Sequence, residues 1–402
     1  MSSSMPPADS ALFSIGQSTA DVLVVGGGIM GLWAAVKAVQ TGLTVTIVDR
    51  HRIGSGASGG LLGALFPWMP NNWDKKKQFQ FDALTALAEE LAPLEAETGL
   101  SARYRQSGRI IPLPKPHLRT IAERHQQDAL VNWNQPSGRF FWHVGDVPPI
   151  ADYVAPDLAT AGYVEDTLAA RANPRALTGL LRTWLQAQRQ ASILEQCELI
   201  RIDAKAGSAL LKNSDGKETT LLFAQAVLAA GVESFPILET LLPPLPKPLG
   251  QGVKGQAALL AADLDPALPV VFLDGVYIVP HTGGRVAVGS TSENSYDDPE
   301  TTDTGLDRVV ERARQLIPAL RGAPVVERWA GIRPKAIGRD PMIGPVPGHS
   351  NIHAMTGGFK ISFGVAHRLA ERVIDSLCGR GLGDLPESFT MEGHLVEMEK
   401  DL

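Results

Sequence analysis

Residues 21–31 read Asp-Val-Leu-Val-Val-Gly-Gly-Gly-Ile-Met-Gly, and residues 44–49 read Thr-Val-Thr-Ile-Val-Asp, with a helical stretch between them. Residues 22–25 have the continuous aliphatic character of a buried strand. Gly26-x-Gly28-x-x-Gly31 turns that strand into a helix that runs through Leu32 and Ala35 toward Gly42. A second apolar strand then ends in Asp49. This is the spacing of a dinucleotide-binding βαβ unit, and each part has a physical task. Gly26 permits a tight turn, Gly28 lets backbone approach a pyrophosphate, and Gly31 lets the helix pack close to the strand. The N–H groups and positive dipole end at the helix start attract phosphate, which adds Ile29 and Met30 to the candidate cofactor contacts. Asp49 can accept hydrogen bonds from ribose hydroxyls and disfavours a 2′-phosphate. The glycine pattern alone decides little: 40 glycines in 402 residues give roughly 0.4 matches by chance. Residues 54–59 and 250–255 match as well, but neither sits between a strand and a helix with a second strand ending in an acid. The βαβ unit by itself admits NAD or FAD.

The composition is that of a globular chain, 44% hydrophobic and 20% charged, and its length allows two or three lobes around a large core. The net charge of −6 and the lack of a long basic run argue against nucleic acid as the main partner. Cys197 and Cys378 stand in no metal or redox spacing, which fits a reducing compartment. No apolar run reaches the ~20 residues that span a bilayer, and the first 20 residues lack a basic start and an apolar core. These features predict a cytoplasmic location without membrane contact. The nine histidines form no metal-ligand pattern, and the oligomeric state is not legible.

Along the chain, residues 75–98 have helical periodicity, and Asn173-Pro174 is an N-cap followed by a proline suited to the first turn. Residues 130–165 read as irregular. Strand-like segments dominate from residue 255 to 289, a helix follows at 304–317, and the chain closes with a strand near 352–355 and a helix near 363–377. This order predicts an α/β core interrupted by a β-rich insertion.

The loop after Asp49 narrows the cofactor. Arg50-His-Arg-Ile-Gly-Ser-Gly-Ala-Ser-Gly-Gly-Leu-Leu is dense in small residues, which let backbone lie against a flat ligand and present N–H groups to an anion. The fingerprint followed by Gly-x-Gly-Ala-Ser-Gly resembles the D-amino-acid-oxidase-like family of FAD enzymes, which includes glycine oxidases and monomeric sarcosine oxidases. Further segments resemble the family in order: Val253-Lys-Gly-Gln256, residues 275–291, Gly331-Ile-Arg-Pro334, Asp340-Pro-Met-Ile-Gly344 and Gly357-Gly-Phe-Lys360.

The resemblance implies an α/β fold: a Rossmann-like FAD-binding domain interrupted by a substrate domain with a mixed, mostly antiparallel β-sheet. The boundaries expected from it are a tail at 1–20, a discontinuous FAD-binding domain at 21–90, 150–240 and 330–380, a substrate domain at 91–149 and 241–329, and a C-terminal tail at 381–402. It implies that Gly26, Gly28, Gly31 and Asp49 hold the ADP half of FAD with Arg50 beside them. It places Ala57, Ser58 and Gly59 along the phosphates and ribityl chain, and Leu61 and Leu62 near the isoalloxazine ring. Cys197 falls near an expected backbone contact to adenine. Ala230 and Gly231 fall at a strand end near the cofactor, and Gly358, Phe359, Lys360, Ile361 and Ser362 in the C-terminal flavin block. The implied reaction transfers a hydride from the carbon beside nitrogen to flavin N5. The product imine hydrolyses, and oxygen or another acceptor takes the electrons.

A small amine that is an amino acid needs a cation for its carboxylate. Arg333 matches the arginine of Gly-Leu-Arg-Pro in glycine oxidases, Lys360 the lysine of Gly-Phe-Lys in sarcosine oxidases, and Tyr277 a glycine-oxidase tyrosine that reaches the carboxylate. The plainer readings are a structural ion pair for Arg333, a solvated Lys360 and a packed Tyr277. No cysteine lies near Arg333 where sarcosine oxidases attach FAD, so non-covalent FAD is expected. Ala287 stands where their oxygen-activating lysine would be, and residues 61–69 hold no counterpart of their early arginine. Residues 63–67 and 339–347 also resemble the FAD domain of an enzyme that modifies tRNA wobble uridine, so an aminomethyl group on a larger substrate is an alternative. A flavin-binding redox regulator without turnover is another.

Overall fold

The computed structural model describes residues 18–133 and 138–400; residues 1–17 of the expected N-terminal tail and residues 401–402 lie outside the described residues. Two eight-stranded sheets organise the chain. In the first, Ser18–Val25 lies between Glu218–Leu228 and Val45–Val48, all parallel. Ala191–Leu194 and His349–Thr356 extend this parallel set on either side. Met342–Val346 closes one edge antiparallel, and Cys197–Asp203 with Ser208–Asn213 branch antiparallel from Glu218–Leu228. Alternate side chains of the central strands enter different layers. Val22, Val24 and Ile47 meet the helices Ile29–Gln40 and Ser362–Leu377. Leu23, Val25 and Leu228 meet Phe235, Met391 and Met398. Burial on both faces is why these strands read as unbroken apolar runs.

The second sheet runs in the order Val325–Ala336, Gly250–Ala261, Arg285–Gly289, Val276–His281, Val270–Leu273, Arg109–Pro112, Tyr163–Asp166, Trp142–Gly145. Its pairs are antiparallel except that between Val270–Leu273 and Arg109–Pro112. The α/β architecture with a mixed, mostly antiparallel second sheet is the one expected. Helix Thr304–Leu316 covers one face through Leu306, Val310, Ala313 and Leu316. The other face carries Ala257, Val279 and Ala287 against Leu61.

Local signals place several helices closely. Asp74 accepts from the Lys77 N–H (2.9 Å) at the start of Lys75–Thr98, and Asn173 from the Ala176 N–H (3.0 Å) at the start of Pro174–Ala187. Other expectations change. Residues 130–165 contain the strands Trp142–Gly145 and Tyr163–Asp166, which are four residues each and pair at a sheet edge set by Arg109–Pro112. So short a strand takes its identity from its neighbours. A boundary at residue 90 would fall inside Lys75–Thr98. Residues 381–402, read as a tail, include the helix Met391–Lys400, whose buried Met391 and Met398 cover the first sheet.

His281, His353 and His367 are buried. Loss of water pulls their pKa values down to about 4, about 4 and about 3. Each therefore folds neutral and titrates near 6.5 once unfolded, so its contribution to stability is full above pH 6.5 and declines as pH falls. By pH 5 each should cost about 2 kcal/mol. Urea unfolding at pH 7 and pH 5 reads this loss. His367→Phe should remove about 2 kcal/mol of it, and an unchanged loss would clear His367 of the effect.

Candidate active site

One cleft, about 1460 Å³, collects most of the candidate residues from both sheets. Gly26, Gly28, Ile29, Met30, Asp49, Arg50, Ala57, Ser58, Leu61, Leu62, Cys197, Ala230, Gly231, Tyr277, Arg333, Phe359, Lys360 and Ser362 line it. Gly31, Gly59, Gly358 and Ile361 are not among its lining and support it from behind. A Cβ on Gly31 would overlap the Gly26 carbonyl oxygen, and one on Gly358 would overlap Met30 and Ser362. One on Gly59 would come within 2.8 Å of the Gly54 carbonyl oxygen. Ile361 packs against the core and donates its N–H to the Gly358 carbonyl (2.9 Å).

On the first-sheet side, Gly26 has φ +104° and passes so close to Ala229 that a Cβ would sit 2.5 Å from its carbonyl oxygen. Asp49 accepts from the Gly27 N–H (2.7 Å) and the His51 N–H (2.8 Å), so its carboxylate is oriented by backbone. The Ile29 N–H, expected to be open to phosphate, donates instead to Ser58 Oγ (2.9 Å). Ser58 thereby ties the small-residue loop to the helix start. Arg50 pairs with Glu233 (3.2 Å), and the Cys197 N–H donates to the Asp49 carbonyl (2.9 Å).

On the second-sheet side, Arg333 projects from Val325–Ala336 and donates from Nη1 to the Thr291 carbonyl (3.1 Å). No carboxylate forms an ion pair with Arg333 or Lys360 among the described residues. The structural ion pair considered for Arg333 is thus not formed. Surrounding protein pushes the Arg333 pKa down, opposed by Tyr277 and Glu293. That of Lys360 falls by burial first and by the Arg333 charge second. Burial raises the Tyr277 phenol, opposed by the guanidinium groups of Arg109 and Arg333. Tyr277 stacks on Phe66 with centroids 5.3 Å apart. Arg109, also near Tyr277, is committed elsewhere: it pairs with Asp166 at 2.5 Å, both buried, and lies 4.5 Å from the Phe66 ring centroid.

Sequence reasoning missed two contributors. His281 Nε2 lies 3.1 Å and 3.0 Å from the Leu61 and Leu62 carbonyl oxygens. Both can only accept, so Nε2 carries the proton and the ring pins the loop beside the cleft. Trp329 also lines the cleft, and added Cβ atoms at Gly331 and Gly60 would both meet its indole. Gly331, two residues along the same strand, was the available hint. Trp68 and Trp73 pack edge-on against Phe389 and Phe81 and are not in the cleft lining.

The residues present fit FAD. The glycines leave a cradle that a Cβ would fill, Asp49 presents an oriented carboxylate, and the volume exceeds the range of about 300–1,000 Å³ for a drug-sized ligand, leaving room for a dinucleotide and a small substrate. A dinucleotide-binding sheet, a second sheet across the cleft and two cations that form no ion pair among the described residues are the arrangement expected of a flavin-dependent oxidoreductase. The chain belongs to the FAD dependent oxidoreductase (DAO) family, which matches residues 21–372. It is 30% identical over 389 residues to a glycine oxidase from Pseudomonas putida, covering 93% of this chain and 99% of that one. It is 29% identical to a glycine oxidase from Pseudomonas aeruginosa, covering 89% and 95%. A solved structure of glycine oxidase from Geobacillus kaustophilus superposes with a TM-score of 0.82 at 22% identity, covering 93% of this chain and 98% of that one, which confirms the fold. The cofactor is FAD. No helix among the described residues is long and apolar enough to cross a membrane.

Proposed function

We propose that this enzyme oxidises the C–N bond of a small amine bearing a carboxylate, an amino acid of the size of glycine. The observation that carries this reading is the Arg333 guanidinium, enclosed in the cleft without an acidic partner and with Lys360 and Tyr277 beside it. A desolvated guanidinium that forms no ion pair among the described residues, and whose burial outweighs the opposing charge of Glu293, favours an anionic ligand, and it can grip a carboxylate with two parallel hydrogen bonds. The Pseudomonas relatives are glycine oxidases by name, and glycine has the required carboxylate and amine.

Bound FAD supplies the two-electron acceptor at N5. Arg333 and Lys360 hold the carboxylate, Tyr277 donates a further hydrogen bond, and the carbon beside nitrogen is thereby oriented toward the acceptor. Trp329 and the Leu61–Leu62 backbone, pinned by His281, wall the site. FAD is held without a covalent bond, since no cysteine lies near Arg333. Anaerobic mixing with a panel of amino acids and amines should bleach the flavin with small amino acids, and acid precipitation should release all of it. Bleaching by none of the panel would sink the substrate reading, and flavin retained in the pellet would sink the non-covalent one.

A further inference from the structure

Gly255 and Gly331 face each other across the paired strands Gly250–Ala261 and Val325–Ala336, between the pairs Val253–Arg333 and Ala257–Trp329. Directly paired residues share a sheet face, and this face is the one that lines the cleft. The two glycines make a bare patch in it, and two large side chains lie across the patch. Trp329 folds over Gly331, where a Cβ would overlap its indole. Arg333 folds diagonally over Gly255, where a Cβ would overlap Cζ, Nη1 and Nη2 together. All three atoms can crowd one Cβ position only if the guanidinium lies flat on the Gly255 backbone. Nη1, one of these three atoms, is held by the Thr291 carbonyl, and Thr291 Oγ1 accepts from the Gln256 N–H (2.9 Å). Gly255 is not among the positive-φ residues, so the backbone does not require glycine, and a glycine inside a strand weakens it.

We infer that Gly255 is a positioning residue that sets specificity: its missing side chain is the seat of the Arg333 guanidinium and aims it at the substrate carboxylate. The inference rests on the carboxylate-clamp reading above. The overlap that Gly255→Ala creates is with the free end of a flexible side chain rather than with backbone. The variant relieves it by swinging the guanidinium away while the sheet stays paired.

The test uses the FAD-loaded protein titrated with sodium acetate, a carboxylate with no amine to oxidise, followed by flavin absorbance. Gly255→Ala should keep its flavin content and lose at least about tenfold in acetate affinity, and its KM for the amino-acid substrate should rise more than its kcat falls. In the Arg333→Ala background, Gly255→Ala should add nothing, because the group it displaces is gone. Wild-type acetate affinity in Gly255→Ala alongside weakened affinity in Arg333→Ala overturns the inference and leaves the clamp standing. So does a full further loss in the double variant. Equal affinity in wild type and Arg333→Ala overturns the clamp and this inference together. Should Gly255→Ala shed its flavin, the double variant decides: flavin regained once the guanidinium is removed supports the seat, and continued loss overturns it.

Discussion

Arg333→Ala is expected to lose on the order of a hundredfold in kcat/KM toward a carboxylate-bearing amine while retaining FAD. Charge-assisted hydrogen bonds are worth roughly 1.5–3 kcal/mol, and each 1.4 kcal/mol is about tenfold. The loss should concentrate on substrates with a carboxylate, because that is the group the guanidinium is proposed to hold. Arg333→Lys should recover part of it, keeping the charge without the planar fork. Steady-state kinetics on an amino acid and on the matching amine without its carboxylate separate the effects. A variant that loses equally on both would place Arg333 in general packing rather than in recognition.

Gly31→Ala is expected to abolish stable FAD binding. Here the added Cβ would overlap the Gly26 carbonyl oxygen, which is backbone and cannot rotate aside. Helix Ile29–Gln40 would have to lift from Ser18–Val25, moving the first helical turn and the Ser58 oxygen bonded to it. Overpacking of this kind costs about 1–3 kcal/mol or more, and the protein also forgoes the stabilisation that bound FAD provides. Gly179→Ala is the contrast: this glycine lies in helix Pro174–Ala187 with nothing within 4 Å of an added Cβ, so the change should stabilise by about 1 kcal/mol. The flavin-to-protein ratio after purification and the Tm of each variant check both. A yellow Gly31→Ala protein of wild-type Tm would refute the packing argument.

How far the chain could be read from its sequence depends on the range of the forces involved. The βαβ unit was legible because strand, glycine turn, helix and Asp49 are local and each residue type has a steric or hydrogen-bonding reason to stand there. Arg333 and Lys360 were legible through short segments that resemble a family. The strands Trp142–Gly145 and Tyr163–Asp166 were not, since their pairing depends on Arg109–Pro112 and on a sheet assembled from distant segments. Nor were His281, Trp329 and Gly255. His281 answers carbonyls some 220 residues earlier in the chain, and Gly255 acquires its role only through the register that sets it opposite Gly331. A single sequence holds the residue types but not that register. Ser58 is intermediate: its place in the small-residue loop was evident, but its hydrogen bond to the helix start was not.

The placement of His349–Thr356 alongside Glu218–Leu228 has a consequence for biogenesis. The glycine fingerprint leaves the ribosome well before Arg333, Thr356 and Lys360, which line the same cleft. A nascent polypeptide that stops short of them displays the nucleotide motif with one wall of its cleft missing. A chain truncated ahead of Arg333 is expected to carry the motif and stay colourless, which its visible absorbance after purification checks.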